Sequence, residues 1–375
     1  MIDETLRINA TLACNLDSNI LQAAWPLFNE SKVDAIEWSF DALFKYKAIP
    51  IWFHELVAAF SDGKRLIGHG VYFSIFSGRW SEQHQLWLDR LRQLCTVYQF
   101  DHITEHFGFM TGLDFHQGAP MSIPFTPENL SLGQDRLMRL SDACKCPVGL
   151  ENLAFAFTAD HVKTHGEFLS KLIQPVNGFI ILDLHNLYCQ AQNFSISYED
   201  LVSFYDLNSV REIHISGGSW EPFSDDPNIK IRRDTHDNRV PADVFKFLKA
   251  TIPKCPNLKY VTLEQVSSGL TDETERKHFQ ADFEHMRSII SSSEEPDLAR
   301  SNVFDPPKYH LLDVICESTA LQEQQTQLSN ILSDSTTLAE AKIHLASEPI
   351  KTAWQTATWP DHMVETALKI VQKWA

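Results

Sequence analysis

Residues that can bind metal ions follow one short apolar segment after another along this chain. A polar residue at the carboxyl end of a buried strand occupies the position where (β/α)8 barrels keep their active sites. Six segments contain such residues: LIGHG (66–70), HITEHFGF (102–109), CPVGLEN (146–152), GFIILDLHN (178–186), VREIHISGG (210–218) and KYVTLEQ (259–265). This repetition predicts one shared metal cluster. Its predicted ligands are His69, His106, Glu151, Asp183, Asn186, His214, Asp234, His236 and Glu264.

The alternation of apolar and amphipathic segments predicts the fold. Strands are expected at about 6–12, 33–38, 66–73, 102–106, 147–151, 179–183, 211–215 and 260–264. Helices are expected between them, for example at 84–98, 128–142, 165–173, 241–251 and 273–292. Strict strand–helix alternation indicates a parallel sheet, and eight units favour closure. We therefore predict an α/β protein with a (β/α)8 TIM barrel over residues 1–292.

The remaining residues, 293–375, are predicted to be a linker plus a small helical domain. The linker SSSEEPDLARS (291–301) is polar and broken by proline, and helical patterns follow at about 317–333, 336–346 and 362–374. The segment MVETALKIVQKWA (363–375) has a clear apolar face. Two interpretations stay open for this C-terminal helical extension. It is either a cap that packs on the barrel or an element that docks a partner or a peptide.

Composition excludes several classes of protein. A formal net charge of −17 argues against nucleic-acid binding, which depends on basic patches. No apolar run approaches the roughly 18 residues of a membrane span, and the N-terminus lacks a signal-peptide pattern. The seven cysteines are odd in number and lack framework spacing, so reduced thiols are expected. We predict a cytoplasmic protein that binds neither nucleic acid nor membrane.

The ligand set combines imidazoles, carboxylates and one carboxamide without a thiolate, which suits iron, manganese or zinc. Nine groups exceed the three or four that one catalytic ion takes, so two or three ions sharing carboxylates are expected. Glu151 is the candidate bridge, and Glu151, Asp183 and His214 are the candidate catalytic residues. Asp234 and His236 alternate along a segment expected to be extended, which would place both side chains on one face. Eight other histidines are expected to be structural: His54, His84, His116, His161, His165, His278, His285 and His310.

In this order and spacing the motifs resemble the DUF692 family, the multinuclear non-haem iron-dependent oxidative enzymes (MNIO). The family's Gly-His-Gly turn appears as GHGVYFSI (68–75), its Ser-Glu-His segment as TEHFGF (104–109) and its Glu-Asn pair as LEN (150–152). Later motifs appear as DLHN (183–186), EIHISGG (212–218), DTHDNRV (234–240) and LEQ (263–265). The similarity covers roughly residues 60–265. The N-terminal segment RINATLACNLDSNIL looks more like the methanobactin-type branch than like most members.

The resemblance implies a TIM barrel that holds two or three irons in a mixed Fe(II)/Fe(III) state and uses O2 as co-substrate. Family members oxidise ribosomally made precursor peptides, often at cysteine. In the methanobactin branch a four-electron oxidation gives an oxazolone and a thioamide. The resemblance also implies a peptide-recognising partner protein, as a heterodimer, or the C-terminal domain serving that role.

Three residues are candidate substrate contacts. Glu37 matches a family position near the substrate, although a carboxylate at a helix cap or core edge is an equal interpretation. His185 stands where the family usually has asparagine, as an extra ligand or as a donor to one. Arg233 lies in the basic segment KIRRDTH (230–236), which either binds a carboxylate or peptide backbone or is a solvated loop.

Other functions stay open. The ligand order also resembles endonuclease IV, a trinuclear zinc hydrolase, but Asn186 stands where that pattern has histidine and the net charge disfavours a DNA groove. A sugar isomerase of the xylose isomerase type uses a site that is mostly carboxylates, and no lysine follows these strands. A non-enzymatic metal-binding scaffold, whose C-terminal helices dock a partner, would consume no oxygen with a cysteine-bearing peptide.

Overall fold

The structure, a computed structural model, describes residues 7–44, 46, 49–112, 115, 117–293, 303–347 and 350–374. Eight parallel strands of the described residues close into a barrel: β1 (Asn9–Ala13), β2 (Ala35–Trp38), β3 (Leu66–His69), β4 (Ile103–His106), β7 (Val148–Glu151), β8 (Phe179–Asp183), β9 (Val210–Ile215) and β12 (Tyr260–Leu263). Around the barrel they lie in the order β1-β12-β9-β8-β7-β4-β3-β2. The predicted (β/α)8 TIM barrel is confirmed.

Helices follow the strands and cover the barrel from outside. They are α1 (Ser18–Asn29), α2 (Ile51–Asp62), α3 (Glu82–Val97), α4 (Pro127–Cys144), α5 (Ala159–Ile173), α6 (Leu184–Phe194), α7 (Tyr198–Ser203), α8 (Ala242–Thr251) and α9 (Glu273–Ser292). Side-chain caps set many of the starts, because an oxygen of the preceding residue accepts an otherwise unbonded amide. Thr126 caps α4 in this way, with Pro127 at its first position. No helix in the described part of the chain is long and apolar enough to cross a membrane.

Two short antiparallel hairpins extend the loops at the carboxyl ends of the strands. One pairs β5 (Phe109–Met110) with β6 (Pro120–Met121), and the other pairs β10 (Trp220–Pro222) with β11 (Lys230–Arg232). Sequence analysis did not predict them, because strands of two or three residues are too short for alternation to show. The strand predicted over 66–73 ends instead at His69, and the chain then turns out of the barrel.

The segment that leaves the barrel crosses from one end of it to the other. Residues 294–302, which include most of the predicted linker, lie outside the described residues. Phe304 is buried against Phe179, with ring centroids 5.7 Å apart, at the amino end of β8. The Tyr309 hydroxyl then donates to the Met138 carbonyl on α4 at 2.9 Å. The chain thus runs along α4 towards the carboxyl ends of the strands.

Four helices follow on the carboxyl side: α10 (Thr319–Asp334), α11 (Leu338–Leu345), α12 (Ile350–Trp354) and α13 (Asp361–Trp374). We call them the helical cap. The Trp359 ring stacks on Phe157, in the loop after β7, at a centroid distance of 3.5 Å. The Glu365 carboxylate accepts from the Ser224 hydroxyl, in the hairpin loop after β9, at 2.8 Å. The helical extension therefore packs over the end of the barrel where the predicted ligands lie.

The burial of Phe304 generates a stability prediction. Phe304→Ala should lower the free energy of unfolding by about 3–5 kcal/mol, because it leaves a cavity beside Phe179 and Ile181. Urea unfolding measures the change. Leu312→Ala, in the same segment but with a 75% exposed side chain, should change it by less than about 0.5 kcal/mol. Equal losses in both variants would contradict the assigned role of Phe304.

Candidate metal centre

The predicted ligands come together inside one end of the barrel. His69, His106, Glu151 and Asp183 are the last residues of four strands, and Glu264 directly follows β12. Parallel strands present their carboxyl ends at the same edge, so these side chains converge there. Three overlapping donor groups result, each with its donor atoms within 4.8 Å of one another: His69–His106–Glu151, Glu151–Asp183–His214–Glu264 and Glu37–Glu212–His214.

Close packing around β3 sets the position of His69. A Cβ atom at Gly68 would lie 2.5 Å from the Ile103 side chain, and one at Gly70 would lie 2.2 Å from the Glu105 carboxylate. Glycine on both sides therefore lets the strand end press against β4. The Glu105 carboxylate also accepts the Phe73 amide at 3.2 Å, which holds the turn after His69.

Hydrogen bonds fix which nitrogen each of the first two histidines presents. The Thr104 hydroxyl donates to the Gly68 carbonyl at 3.2 Å, so its oxygen accepts from Nδ1 of His69 at 2.9 Å. Nδ1 of His106 donates to the Gly70 carbonyl at 3.2 Å. Burial lowers the pKa of both imidazoles, so both are neutral. Each therefore presents the lone pair of Nε2.

Both lone pairs face the same carboxylate. Nε2 of His69 lies 3.4 Å and Nε2 of His106 lies 3.5 Å from Oε2 of Glu151. Three acceptors repel one another unless a proton or a metal ion lies between them. Two ligand atoms bound at about 2.1 Å to one ion are separated by roughly 3 to 3.5 Å, as observed here. The geometry of this first group therefore fits a metal ion.

The second group surrounds His214. Nδ1 of His214 lies 3.3 Å from Oε2 of Glu264 and 3.9 Å from Oε1 of Glu151. Asp183 completes the group, and its buried Oδ2 atom has no hydrogen-bond partner. A buried carboxylate oxygen without a donor is costly. An ion shared by these residues would satisfy it.

Nε2, on the other side of the His214 ring, faces two carboxylates that sequence analysis did not place here. Nε2 lies 3.2 Å from Glu37 and 3.3 Å from Glu212. Glu212 already accepts from the Thr262 hydroxyl at 2.6 Å and contacts Nε2 of His102 at 2.8 Å. Each of its two oxygens therefore already has one hydrogen-bond partner. This third group is better suited to holding a proton on Nε2 of His214 than to binding an ion, as carboxylates behind metal-binding histidines do.

Asp234 and His236 extend the second group, but not in the predicted conformation. Nε2 of His236 lies 2.8 Å from Oδ1 of Asp234, and its Nδ1 lies 3.8 Å from Oε2 of Glu264. The prediction of an extended segment is wrong at His236, which has a left-handed backbone with φ of 53°. Such a conformation is uncommon for residues with a Cβ atom and often marks a functional position. It turns the imidazole back towards Glu264.

Asn186 joins the centre from the first turn of α6. The Asp183 carboxylate caps this helix by accepting the Asn186 amide at 2.6 Å. The Asn186 side-chain nitrogen donates to the Asn152 carbonyl at 2.7 Å and to Oε1 of Glu151 at 3.2 Å. Its Oδ1 atom is buried without a partner. This carboxamide oxygen is thus a further free donor for an ion.

His185 has both ring nitrogens engaged. Arg232, a buried residue, donates to Nε2 at 3.0 Å, so Nδ1 carries the proton and donates to Asp234 at 2.8 Å. Of the two interpretations, the structure therefore favours a donor that orients a ligand. Arg233, predicted to contact substrate, lines the cavity described below and pairs with Glu221. Glu37 and His185 are buried and do not line that cavity.

The buried carboxyl groups of the centre also favour positive charge beside them. Burial raises the pKa of Glu151 well above its usual value, that of Glu37 to about 8 and that of Asp183 to about 7. Although burial opposes the charged form, neighbouring carboxylates raise the pKa of His214 well above its usual value and that of His236 to about 10. In the chain alone, protons supply the positive charge. Metal ions would displace them.

A cavity of about 660 Å³ opens onto the centre. His69, His106, Glu151, Asp234 and His236 reach its inner wall. Thr366 and Ile370 of α13 contribute to the outer wall, so the helical cap helps to enclose the centre. This size is typical of sites for small ligands or short chain segments.

Other histidines predicted to be structural lie away from the centre. His84 forms a reciprocal cap with Ser81 at the start of α3, and Nε2 of His165 contacts the Ser122 hydroxyl at 3.1 Å. His54 contacts the Tyr98 hydroxyl. His116 lies outside the described residues.

Four contributors were missed from the sequence: Thr104, Asn152, Glu212 and Arg232. Period-two alternation would have found Thr104 and Glu212, because each precedes a ligand by two residues and so points inwards. Arg232 had no such signal, since its contact with His185 depends on the β10–β11 hairpin.

A family model described as RiPP precursor modification enzyme MbnB/TglH/ChrH matches residues 29–268. The chain belongs to this family. The match confirms the family resemblance predicted from the motifs.

Relatives include a UPF0276 protein of Paraburkholderia phytofirmans, 29% identical over 55% of this chain and 67% of the relative. A UPF0276 protein of Psychromonas ingrahamii is 24% identical over 47% of this chain and 61% of the relative. The chain thus matches about two thirds or less of these relatives' length. A xylose isomerase domain protein of Planctomyces limnophilus has a similar structure, with a TM-score of 0.48 at 16% identity, covering 76% of this chain and 97% of that one.

Glu151 contributes to two donor groups, so its loss should affect both. Glu151→Ala should remove at least about half of the bound metal, measured by elemental analysis after anaerobic loading with ferrous iron. His165→Ala is the matched control, because it removes an equally buried side chain outside the centre. Unchanged metal content in Glu151→Ala would contradict the bridging position.

Loss of the Thr104 hydroxyl should weaken metal binding, because this hydroxyl orients His69. Thr104→Val keeps the shape but removes the acceptor for Nδ1, so metal affinity should fall about tenfold in competition with a chelator. Thr11→Val is the control, since among the described residues the hydroxyl of buried Thr11 hydrogen-bonds only to the Asn9 carbonyl. A similar loss in both variants would point to barrel packing instead.

Proposed function

We propose that this chain is an iron- and oxygen-dependent oxidase that modifies a cysteine of a ribosomally made precursor peptide. One observation carries the proposal: two donor groups share Glu151 at the inner end of a cavity, and Glu264 of the second group also lies 3.8 Å from Nδ1 of His236. Shared carboxylates are how proteins hold neighbouring ions. Membership in a family of RiPP precursor modification enzymes supports peptide as the substrate class.

The residues present suit two or three ions. His69, His106 and Glu151 would hold one, and Glu151, Asp183, His214 and Glu264 a second. Asp234 and His236, beside Glu264, would complete the set. Imidazole, carboxylate and carboxamide donors without a thiolate suit iron. Bound iron supplies one-electron and O2 chemistry that side chains cannot perform.

Side chains of the protein itself would orient the residues that hold the ions. Arg232 and His185 hold the Asp234 carboxylate in one orientation. Glu37 and Glu212 flank Nε2 of His214 at 3.2 and 3.3 Å, which leaves Nδ1 to face the centre. The enclosing wall from α13 limits access of water to the inner end of the cavity.

The proposed reaction removes four electrons and four protons from the peptide, at the cysteine and its neighbouring amide. One O2 accepts them and becomes two waters, so the step balances without another reductant. All seven cysteines of the chain are unpaired, which fits a reducing compartment, and we place the reaction in the cytoplasm.

Co-expression with short cysteine-containing peptides from the source genome tests this proposal. We expect one peptide to lose the mass of four hydrogens, and the purified iron-loaded protein to consume about one O2 per peptide. The same peptide with serine in place of cysteine should be unchanged. Glu151→Gln should abolish the mass change, whereas His278→Ala, on the exposed face of α9, should retain it.

Two results would overturn the proposal. One is an iron-loaded protein that consumes no oxygen and alters no peptide, which would favour a metal-binding scaffold. The other is a protein that holds only zinc and cleaves abasic DNA, which would favour a hydrolase of the endonuclease IV type.

A further inference from the structure

The cavity at the metal centre continues into two further cavities. Tyr72, Met110 and Gln117 line both it and a second cavity of about 1030 Å³. The second shares Arg79 with a third cavity of about 490 Å³. We call the second and third cavities together the α10 groove, because residues of α10 line both. The groove leads away from the predicted ligands between the barrel and the helical cap.

The walls of the groove are rich in amide and hydroxyl groups. Loops and the first turn of α3 form one wall, and α10 forms the other. The side chains are Ser74, Ser77, Ser81 and Gln83 on the first wall, and Gln322, Gln325, Thr326 and Ser329 on the second. Such side chains both donate and accept hydrogen bonds. Part of this capacity is used within the protein, as where Gln325 bonds to Gly78 and Phe76, and the remaining donors and acceptors match the N–H and C=O groups of an extended polypeptide.

Electrostatics also favours a polypeptide over a nucleic acid. No acidic side chain lines the second cavity among the described residues, although the whole chain carries a net charge of −17. Arg79 is its one arginine or lysine among them. A nucleic-acid strand requires a basic groove along its backbone. Glu323 lines the third cavity, so the described residues of the groove supply one cation, one carboxylate and many neutral polar groups, which suits a peptide main chain rather than a polyanion.

Hydrogen bonds tie the two walls together beside Gly78 and fix the shape of the groove. The Gln325 side chain accepts the Gly78 amide at 3.0 Å and donates to the Phe76 carbonyl at 2.6 Å. The Gln322 side chain accepts the Arg79 amide at 3.2 Å. At Gly78 the walls meet so closely that a Cβ atom would lie 2.5 Å from the Gln322 nitrogen. A preformed groove lowers the ordering cost of binding an extended chain.

We propose that the α10 groove binds the part of the precursor peptide that extends from the modified residue, as an extended chain in contact with α10. The inference rests on the proposed function, because it places the modified residue at the metal centre. The helical cap then recognises the substrate within the same chain. The described residues of the groove offer the peptide neutral hydrogen-bonding side chains together with one cation, Arg79, and one carboxylate, Glu323.

Tryptophan substitutions at exposed positions block the groove from either wall. Thr326→Trp fills it from α10 and Gln83→Trp fills it from α3. Ala320→Trp and Gln85→Trp are matched controls, because they lie on the same helices, are exposed and do not line the groove. All four positions lie outside the metal centre, so metal content should be unchanged.

A phage-displayed library of random linear peptides, selected on the iron-loaded wild-type protein, provides the probes. Recovered peptides are labelled, and their binding is measured by fluorescence anisotropy. We expect Kd to rise about tenfold or more in Thr326→Trp and Gln83→Trp and to stay within about twofold in the controls. Failure to recover any peptide, equal binding to all variants, or equal losses in the controls would overturn the proposal.

Peptide binding and peptide oxidation are measured in separate experiments, so either proposal can be refuted without the other. Peptides that bind in the groove but are not oxidised by the iron-loaded protein would refute the oxidase and leave the groove assigned. A cysteine peptide that is oxidised equally by wild type, Thr326→Trp and Gln83→Trp would refute the groove and leave the oxidase.

Discussion

The convergence of buried electron-pair donors on Glu151 is the constraint on which the rest of the centre depends. Two neutral imidazoles present lone pairs to one of its oxygens at 3.4 and 3.5 Å. On its other side lie Asp183 and Glu264, in a group whose donor atoms are within 4.8 Å of one another. Two like charges 4 Å apart repel by about 4 kcal/mol at an effective dielectric constant of 20. Cations relieve this repulsion, and the surrounding hydrogen bonds hold the donors in place for them.

Those hydrogen bonds come from the barrel strands themselves. Thr104 directs His69, Glu212 faces His214, and Asp183 both belongs to the centre and caps α6. A barrel strand that ends in a donor residue also carries an inward residue two positions earlier, directly beneath it. The fold therefore supplies the donors and their supports from the same strands. This repetition explains how a polar centre forms inside an apolar barrel.

The repetition also decides how much could be predicted from sequence. Strand ends, the barrel and the meeting of His69, His106 and Glu151 follow from local patterns of apolar and polar residues. The conformation of His236 does not, because a left-handed residue leaves no trace in hydrophobic alternation. The contact of Arg232 with His185 could not be predicted either, since it depends on the β10–β11 hairpin, whose strands have three residues each. The position of the cap depends on packing between residues such as Phe157 and Trp359, which lie far apart in the chain.

The order of elements along the chain has a consequence for assembly. Every predicted ligand precedes α9, which ends at Ser292, whereas the helices that enclose the centre begin at Thr319. During synthesis, N-terminal parts of a chain generally fold first. The barrel can therefore form with its carboxyl end uncovered while the ribosome is still making the cap. Ions have an open route to the centre in that interval, and later docking of α10–α13 narrows it. The direction of translation thus allows the centre to bind ions before the cap encloses it.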